Sequence, residues 1–269
     1  MTAKADVGVF GGSGFYHFLD DVEQVDVETP YGSPSAPATI GTLGGTRVAF
    51  IPRHGVGHTI PPHRINFRAN VWAMRELGAR RILGPGAVGA LKAQLELGEF
   101  VVCDQYVDRT RGRVDTFYDG GGGDDRVSHV SAADPFCPEL RLLVADTARD
   151  LGIRARDRGT IVVIQGPRFS TRAESAWFQA AGWDVVGMTA YPEAHLAREL
   201  ELCYATISMV TDYDVGVREG HEPASGDTVL EVFRANIDHL RALLEAVVPR
   251  IPPQPEEHLC ATALRGASL

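Results

Sequence analysis

Apolar residues gather in short β-branched runs at positions 7–10, 47–51, 81–83, 100–107, 160–164, 184–188 and 203–210, most of them closed by glycine or proline. Runs of this length and composition predict strands. Between several of them, apolar positions recur with helical spacing over residues 66–77, 138–151, 171–181, 193–202 and 228–247. The alternation predicts an α/β fold, with a central mixed, partly parallel twisted sheet flanked on both faces by helices. No internal repeat or linker-like tract interrupts it, so residues 1–269 read as one domain. The run Gly120 to Asp125 predicts a surface loop, and Ile251-Pro-Pro-Gln-Pro opposes a helix, predicting an irregular tail after about residue 250.

Composition narrows the function classes. The chain carries 26 basic and 35 acidic side chains, a formal charge of −9, so its average surface repels polyanions and argues against a nucleic-acid or membrane-surface role. Only Lys4 and Lys92 are lysines, and Lys92 is followed by Ala93, which excludes a P-loop. No apolar stretch approaches a membrane span, and the first residues lack a signal-peptide core, so a cytoplasmic location is expected. Cys103, Cys137, Cys203 and Cys260 are far apart in sequence without a Cys-x-x-Cys pair; they are expected to be reduced, buried and structural.

Six segments near predicted strand ends carry candidate chemistry. Gly11-Gly12-Ser13-Gly14 follows the first strand and offers backbone N–H groups and a hydroxyl to an oxyanion; the third glycine of a dinucleotide fingerprint is missing, because His17 stands there. Arg53-His54 ends the 47–51 strand and forms an anion clamp, a guanidinium being a planar fork of donors. His54, His58 and His63 sit among glycines and prolines, which argues against a helical zinc motif. Gly84 to Ala90 reads as a glycine-rich turn that lets a ligand approach the backbone.

Gly166-Pro-Arg-Phe-Ser-Thr supplies Phe169 to stack on a planar ligand, while Thr171 and Glu174 match a capping box for the next helix. Met188-Thr189 ends another strand. Thr211-Asp212-Tyr213-Asp214 places two carboxylates on one side of an extended segment, where burial and mutual repulsion favour one protonated and one ionised group. Each segment alone has a structural reading as a turn, cap or core residue. Together, at strand ends where open α/β sheets bind ligands, they describe an anion clamp beside an aromatic and carboxylate-lined pocket.

In this combination and order, from about Val7 to Pro249, the chain resembles the trimeric purine nucleoside phosphorylase superfamily, most closely its methylthioadenosine phosphorylase branch. Further carrying segments are His58-Thr-Ile, Asn66-Phe-Arg-Ala-Asn70, Asp104-Gln105, Asp108-Arg-Thr110, Phe117-Tyr-Asp-Gly120 and Pro135-Phe-Cys-Pro138. The resemblance implies phosphorolysis of S-methyl-5'-thioadenosine to adenine and 5-methylthioribose 1-phosphate, with inorganic phosphate as co-substrate and no metal or organic cofactor. It implies that Ser13, Arg53, His54, Ala87 and Thr189 hold phosphate, with Gly86 contributing backbone. Met188 would lie under the ribose, Phe169 against the purine, and Val229 in the pocket for the 5' substituent.

Asp212 would be the catalytic acid on purine N7, with Asp214 addressing the same base edge. That pair favours an adenine base, whose 6-amino group donates where a 6-oxopurine accepts. His129 would reach a neighbouring subunit's site, which implies a homotrimer with sites near subunit interfaces. Two departures bear on specificity: Gly86 stands where the family commonly has threonine, and Gly226, which with Ser170 marks a specificity position, stands where an apolar side chain is usual. They keep open a purine nucleoside phosphorylase of broader or 6-oxopurine specificity, acting on inosine, guanosine or methylthioinosine. A NAD-dependent or nucleotide-binding regulatory protein is disfavoured by the missing third glycine and the Arg-His clamp.

Overall fold

The computed structural model describes residues 4–11, 19–120, 127–220 and 225–267. Ser13, the Gly12–Gly14 part of its loop, His17 and most of the Gly120 to Asp125 run lie outside the described residues. Among the described residues the order is β1 (Val7–Gly11), β2 (Asp20–Val25), β3 (Ala38–Leu43), β4 (Thr46–Pro52), α1 (Phe67–Glu76), β5 (Arg81–Ala90), β6 (Phe100–Val101) and β7 (Gln105–Arg109). It continues through α2 (Pro138–Asp150), β8 (Ala155–Arg156), β9 (Thr160–Ile164), α3 (Arg172–Ala180), β10 (Val185–Gly187), α4 (Ala190–Glu199), β11 (Cys203–Tyr213) and α5 (Gly226–Val247). All 11 strands join one mixed sheet, with the path β2-β3-β4-β1-β5-β10-β9-β7 and with β11, β6 and β8 branching from β5.

Helices pack on both sides. One apolar cluster joins Val71 and Met74 of α1 to Ala194 and Ala197 of α4 through Ile82 and Tyr204. A second joins Leu140 and Val144 of α2 to Leu240 and Leu244 of α5 through Val9, Leu83 and Ile207. The predicted α/β architecture and its mixed sheet are therefore present, and the Thr171–Glu174 capping box opens α3 as expected.

Several boundaries differ from the sequence expectation. Gly84 to Ala90 is no turn but the continuation of β5, paired along its length with β11. Its glycines serve close packing: a Cβ on Gly84 would lie 2.0 Å from the Tyr204 hydroxyl, and one on Gly89 would lie 2.9 Å from Asp212 Oδ2. Glycine in a strand interior marks such close approach as often as a turn. The predicted 100–107 strand breaks into β6 and β7, which pair with different partners. Strand β2 escaped notice because it is almost wholly exposed and shows no apolar alternation, and β3 because Ile40 and Leu43 are its only large apolar side chains. Helix α4 begins earlier than expected, at Ala190, with a non-helical Tyr191 inside its first turn.

Candidate active site

Strands β1 and β4 are parallel and in register at their ends, Gly11 opposite Pro52, and the Arg53 N–H donates to Gly11 O over 3.1 Å. The end of β1 at Gly11 and the Arg53-His54 pair therefore lie side by side at one edge of the sheet. Arg53 is only 3% exposed. Its Nε and Nη2 donate to the two carboxylate oxygens of Glu193, over 2.7 and 2.9 Å, and its Nη1 donates to Pro85 O over 2.6 Å. Glu193, in the first turn of α4, is fully buried and also accepts from the Tyr204 hydroxyl over 2.7 Å. Burial opposes the guanidinium charge, but the charge and hydrogen bonds of Glu193 outweigh it and hold Arg53 above its ordinary pKa. Glu193 neutralises the clamp, so Arg53 offers fixed N–H donors rather than an excess of positive charge.

His54 follows on the same turn. Its Nδ1 is 2.9 Å from Ile60 O, and its ring stacks on His58 with centroids 4.1 Å apart. A carbonyl only accepts, so Nδ1 carries the proton and Nε2 is left as an acceptor. Burial, reinforced by the Arg53 charge, lowers the imidazole to about 4, so it is neutral at physiological pH.

Gly86, Ala87, Met188 and Thr189 line one small cavity, together with Gly187, Tyr204 and Thr206. Arg53 adjoins it: a Cβ on Gly86 would sit 3.9 Å from Arg53 Nη1. Thr189 is the N-cap residue of α4 yet makes no side-chain cap hydrogen bond, so its hydroxyl is not spent on the helix. The N-terminal end of α4 adds a favourable dipole for an anion. Gly166 packs against Met188, since a Cβ there would lie 2.6 Å from the methionine sulfur, which brings the loop bearing Phe169 and Ser170 beside the cavity. Phe169 is itself 38% exposed.

The carboxylates lie farther along β5. Asp212 follows a bulge in β11, opposite Gly89, and accepts from the Thr211 hydroxyl over 2.9 Å. Burial is the main reason its pKa rises to about 6; the Thr211 hydrogen bond opposes this, and the Asp214 charge adds a smaller push. The sequence reading named repulsion beside burial, and of the two desolvation dominates. Asp214 is buried and also raised by burial, with the Ser175 hydroxyl pulling it back. Its Oδ2 and the Ser170 Oγ are enclosed without a formed hydrogen bond. Buried polar atoms of this kind are ones that a ligand satisfies.

Three other expected site residues lie on other segments of the chain. Gly226 and Val229 lie in the first turn of α5, where a Cβ on Gly226 would meet nothing within 4 Å. His129 is exposed, its N–H donating to Ala267 O of the tail over 2.8 Å. Sequence reasoning missed Glu193 and Tyr204 as the support of the clamp. It also missed Arg113, whose guanidinium donates to Met188 O, Tyr191 O and Gln165 O over 2.8, 2.6 and 2.9 Å and fixes the turns around the cavity. Glu193 is 140 residues from Arg53 and Arg113 is 75 from Met188, and no local pattern in the sequence ties either to its partner.

Residues 6–249 match the sequence model of the phosphorylase superfamily. The chain is 53% identical to a purine nucleoside phosphorylase of Streptomyces coelicolor, covering 98% of this chain and 95% of the relative. It is 54% identical to an S-methyl-5'-thioadenosine phosphorylase of Mycobacterium tuberculosis, covering 91% and 89%. Among solved structures it superposes with a TM-score of 0.91 on methylthioadenosine phosphorylase from Schistosoma mansoni in complex with adenine, at 37% identity and covering 98% and 99% of the two chains.

Proposed function

The chain belongs to the phosphorylase superfamily, and on that premise we propose how its site performs phosphorolysis of S-methyl-5'-thioadenosine. It is an enzyme, a pentosyltransferase that acts on a purine nucleoside and phosphate. The observation that carries the reading is the spacing along β5. Donors for an anion gather at Gly86 and Ala87, and the Asp212 carboxyl lies over Gly89, three residues on. At roughly 3.3 Å per residue this separates them by about 10 Å, room for a sugar between a phosphate and a purine edge.

In this reading phosphate sits against Arg53, His54, Thr189 and the backbone of Gly86 and Ala87, with Ser13 completing the set from its loop. One phosphate oxygen bonds to the anomeric carbon as the bond from that carbon to purine N9 breaks, and the bonding pair passes into the base. Asp212, protonated, delivers a proton to N7, while Asp214 accepts from the 6-amino group through its unpaired oxygen. Hydrogen phosphate gives up its hydroxyl proton in forming the sugar phosphate. That proton leaves to solvent and solvent re-protonates Asp212, so proton loss at phosphate balances proton gain at adenine, while the neutral His54 Nε2 accepts a hydrogen bond from the phosphate. Met188 packs under the sugar and Phe169 closes over the base.

The reaction needs no organic cofactor or metal on this reading. We propose a cytoplasmic homotrimer, with His129 entering a neighbouring site; support comes from the exposure of His129 and of the N-terminal half of α5, including Leu230. No helix among the described residues is long and apolar enough to cross a membrane. Light scattering on the purified protein is expected to give three times the 29.1 kDa chain mass.

Base release from methylthioadenosine, adenosine, inosine and methylthioinosine, each with and without phosphate, tests the assignment. Methylthioadenosine with phosphate is expected to be fastest. Release independent of phosphate would indicate a hydrolase, and faster cleavage of inosine would favour the 6-oxopurine reading. Gly86→Thr is a second check. A Cβ at this position would meet only Arg53 Nη1, at an ordinary contact distance of 3.9 Å. The variant is expected to melt as the wild type does and to lower the phosphate KM by up to about tenfold, the worth of one hydrogen bond of about 1.4 kcal/mol.

A further inference from the structure

Three of the four cysteines converge at the end of β11 remote from the chemistry. Cys137 is the N-cap of α2, Cys203 opens β11, and Cys260 lies in the tail two residues after His258. Their sulfur atoms and an imidazole nitrogen all lie within 4.8 Å of one another. His258 Nδ1 is 3.6 Å from Cys203 Sγ, and Nε2 is 3.9 Å from Cys137 Sγ. Asp212 is nine residues farther along β11, roughly 30 Å at strand rise, so this group takes no part in the nucleoside site.

We infer that Cys137, Cys203, Cys260 and His258 form a structural zinc site that ties the C-terminal tail to the body of the domain. Three sulfurs and one imidazole around a closed point are the donor set of structural zinc, with Zn–S of about 2.3 Å and Zn–N of about 2.0 Å. A tetrahedron of those bonds has edges of roughly 3.5–3.8 Å, so the donors need only a small contraction to close on an ion. The surroundings also fit. His258 Nε2 is 3.0 Å from Glu139 Oε2, which orients the ring and leaves Nδ1 toward the sulfurs. Such a carboxylate–histidine pair is the usual support of a metal-bound imidazole. Nδ1 now accepts the Cys260 N–H over 3.1 Å, and that lone pair would pass to the ion.

Binding replaces three S–H protons, released to solvent, by one Zn²⁺ and leaves the site with a formal charge of minus one. Buried Arg81, 2.7 Å from the same Glu139 oxygen, offsets that carboxylate, so the glutamate adds no further net charge beside the site. Cys103 is separate, against the Ser208 hydroxyl at 3.7 Å, and serves as an internal control.

The inference does not rest on the phosphorolysis reading and is tested without an activity assay. The full-length protein, reduced and reconstituted anaerobically with zinc chloride, is passed through a chelating resin and analysed by elemental mass spectrometry. One zinc per chain is expected for the wild type and for Cys103→Ser, and at least tenfold less for Cys203→Ser and Cys260→Ser. Cobalt(II) loaded into the wild type is expected to give thiolate charge-transfer bands and the intense visible bands of a tetrahedral ion, a readout that survives if the serine variants fail to fold. Reduced wild type that retains no zinc and shows no such spectrum would overturn the proposal. So would protein whose intact mass is lower by two hydrogens with a Cys137, Cys203 or Cys260 disulfide that persists in the presence of zinc and reductant.

Discussion

Glu193→Ala is expected to lower stability by about 3–5 kcal/mol, because it leaves the buried Arg53 guanidinium without its partner. The carboxylate accepts both arms of Arg53 and the Tyr204 hydroxyl, so the change also strands the tyrosine donor. Urea unfolding followed by circular dichroism measures the loss. The same variant is expected to raise the phosphate KM, since Arg53 loses the support that aims its remaining N–H groups at the cavity beside Gly86. The double variant Arg53→Met with Glu193→Leu separates the two effects. Apolar replacement of a whole buried pair is often neutral or stabilising. Most of the stability is therefore expected to return while phosphate use stays lost. A double variant that turned over phosphate normally would remove Arg53 from the proposed machinery.

Asp212→Ala is expected to lower kcat/KM for methylthioadenosine by about 10²–10⁴, the range of a lost general acid, with the fold retained. The pH dependence follows from the raised carboxyl. Its pKa of about 6 means that the donor form is lost as pH rises beyond that value. At saturating phosphate, wild-type kcat/KM is expected to fall about tenfold per pH unit above the midpoint, and the Asp212→Asn profile to be flat there. Stability moves in the same direction. A carboxyl raised from 3.8 in the unfolded chain to about 6 in the folded one stabilises the fold below 3.8 and loses that contribution as pH rises through 6. Asp212→Asn is thus expected to melt higher than wild type at pH 7 and to show little difference at pH 3.5. A wild-type profile that showed no fall above pH 6 would remove Asp212 from its role as acid.

Much of the site was visible in the sequence because its parts follow strands. Arg53, Met188-Thr189 and Asp212 each end or follow an apolar β-branched run, and parallel pairing of β1 with β4 and of β9 with β10 delivers such ends to one edge. Gly84 to Ala90 shows where that logic stopped. Glycine and proline usually punctuate, yet here the missing side chains admit the Tyr204 hydroxyl and the Asp212 carboxyl against a continuing strand, and Pro85, which has no N–H to offer a ladder, gives its carbonyl to Arg53.

The sequence by itself determined the alternation of strands and helices, the caps, and the residue types at the strand ends, because those depend on periodicity and local hydrogen bonding over a few residues. Tertiary structure alone decided which charges meet. Arg53 and Glu193 are 140 residues apart in the chain, and nothing local marks one as the other's counterion. The same holds for Cys137, Cys203 and Cys260, which read as separate buried structural residues until α2, β11 and the tail bring them together with His258. The ionisation of the site was fixed at that level too. Burial sets the neutral His54 and the raised Asp212, and desolvation is a property of the packed surroundings.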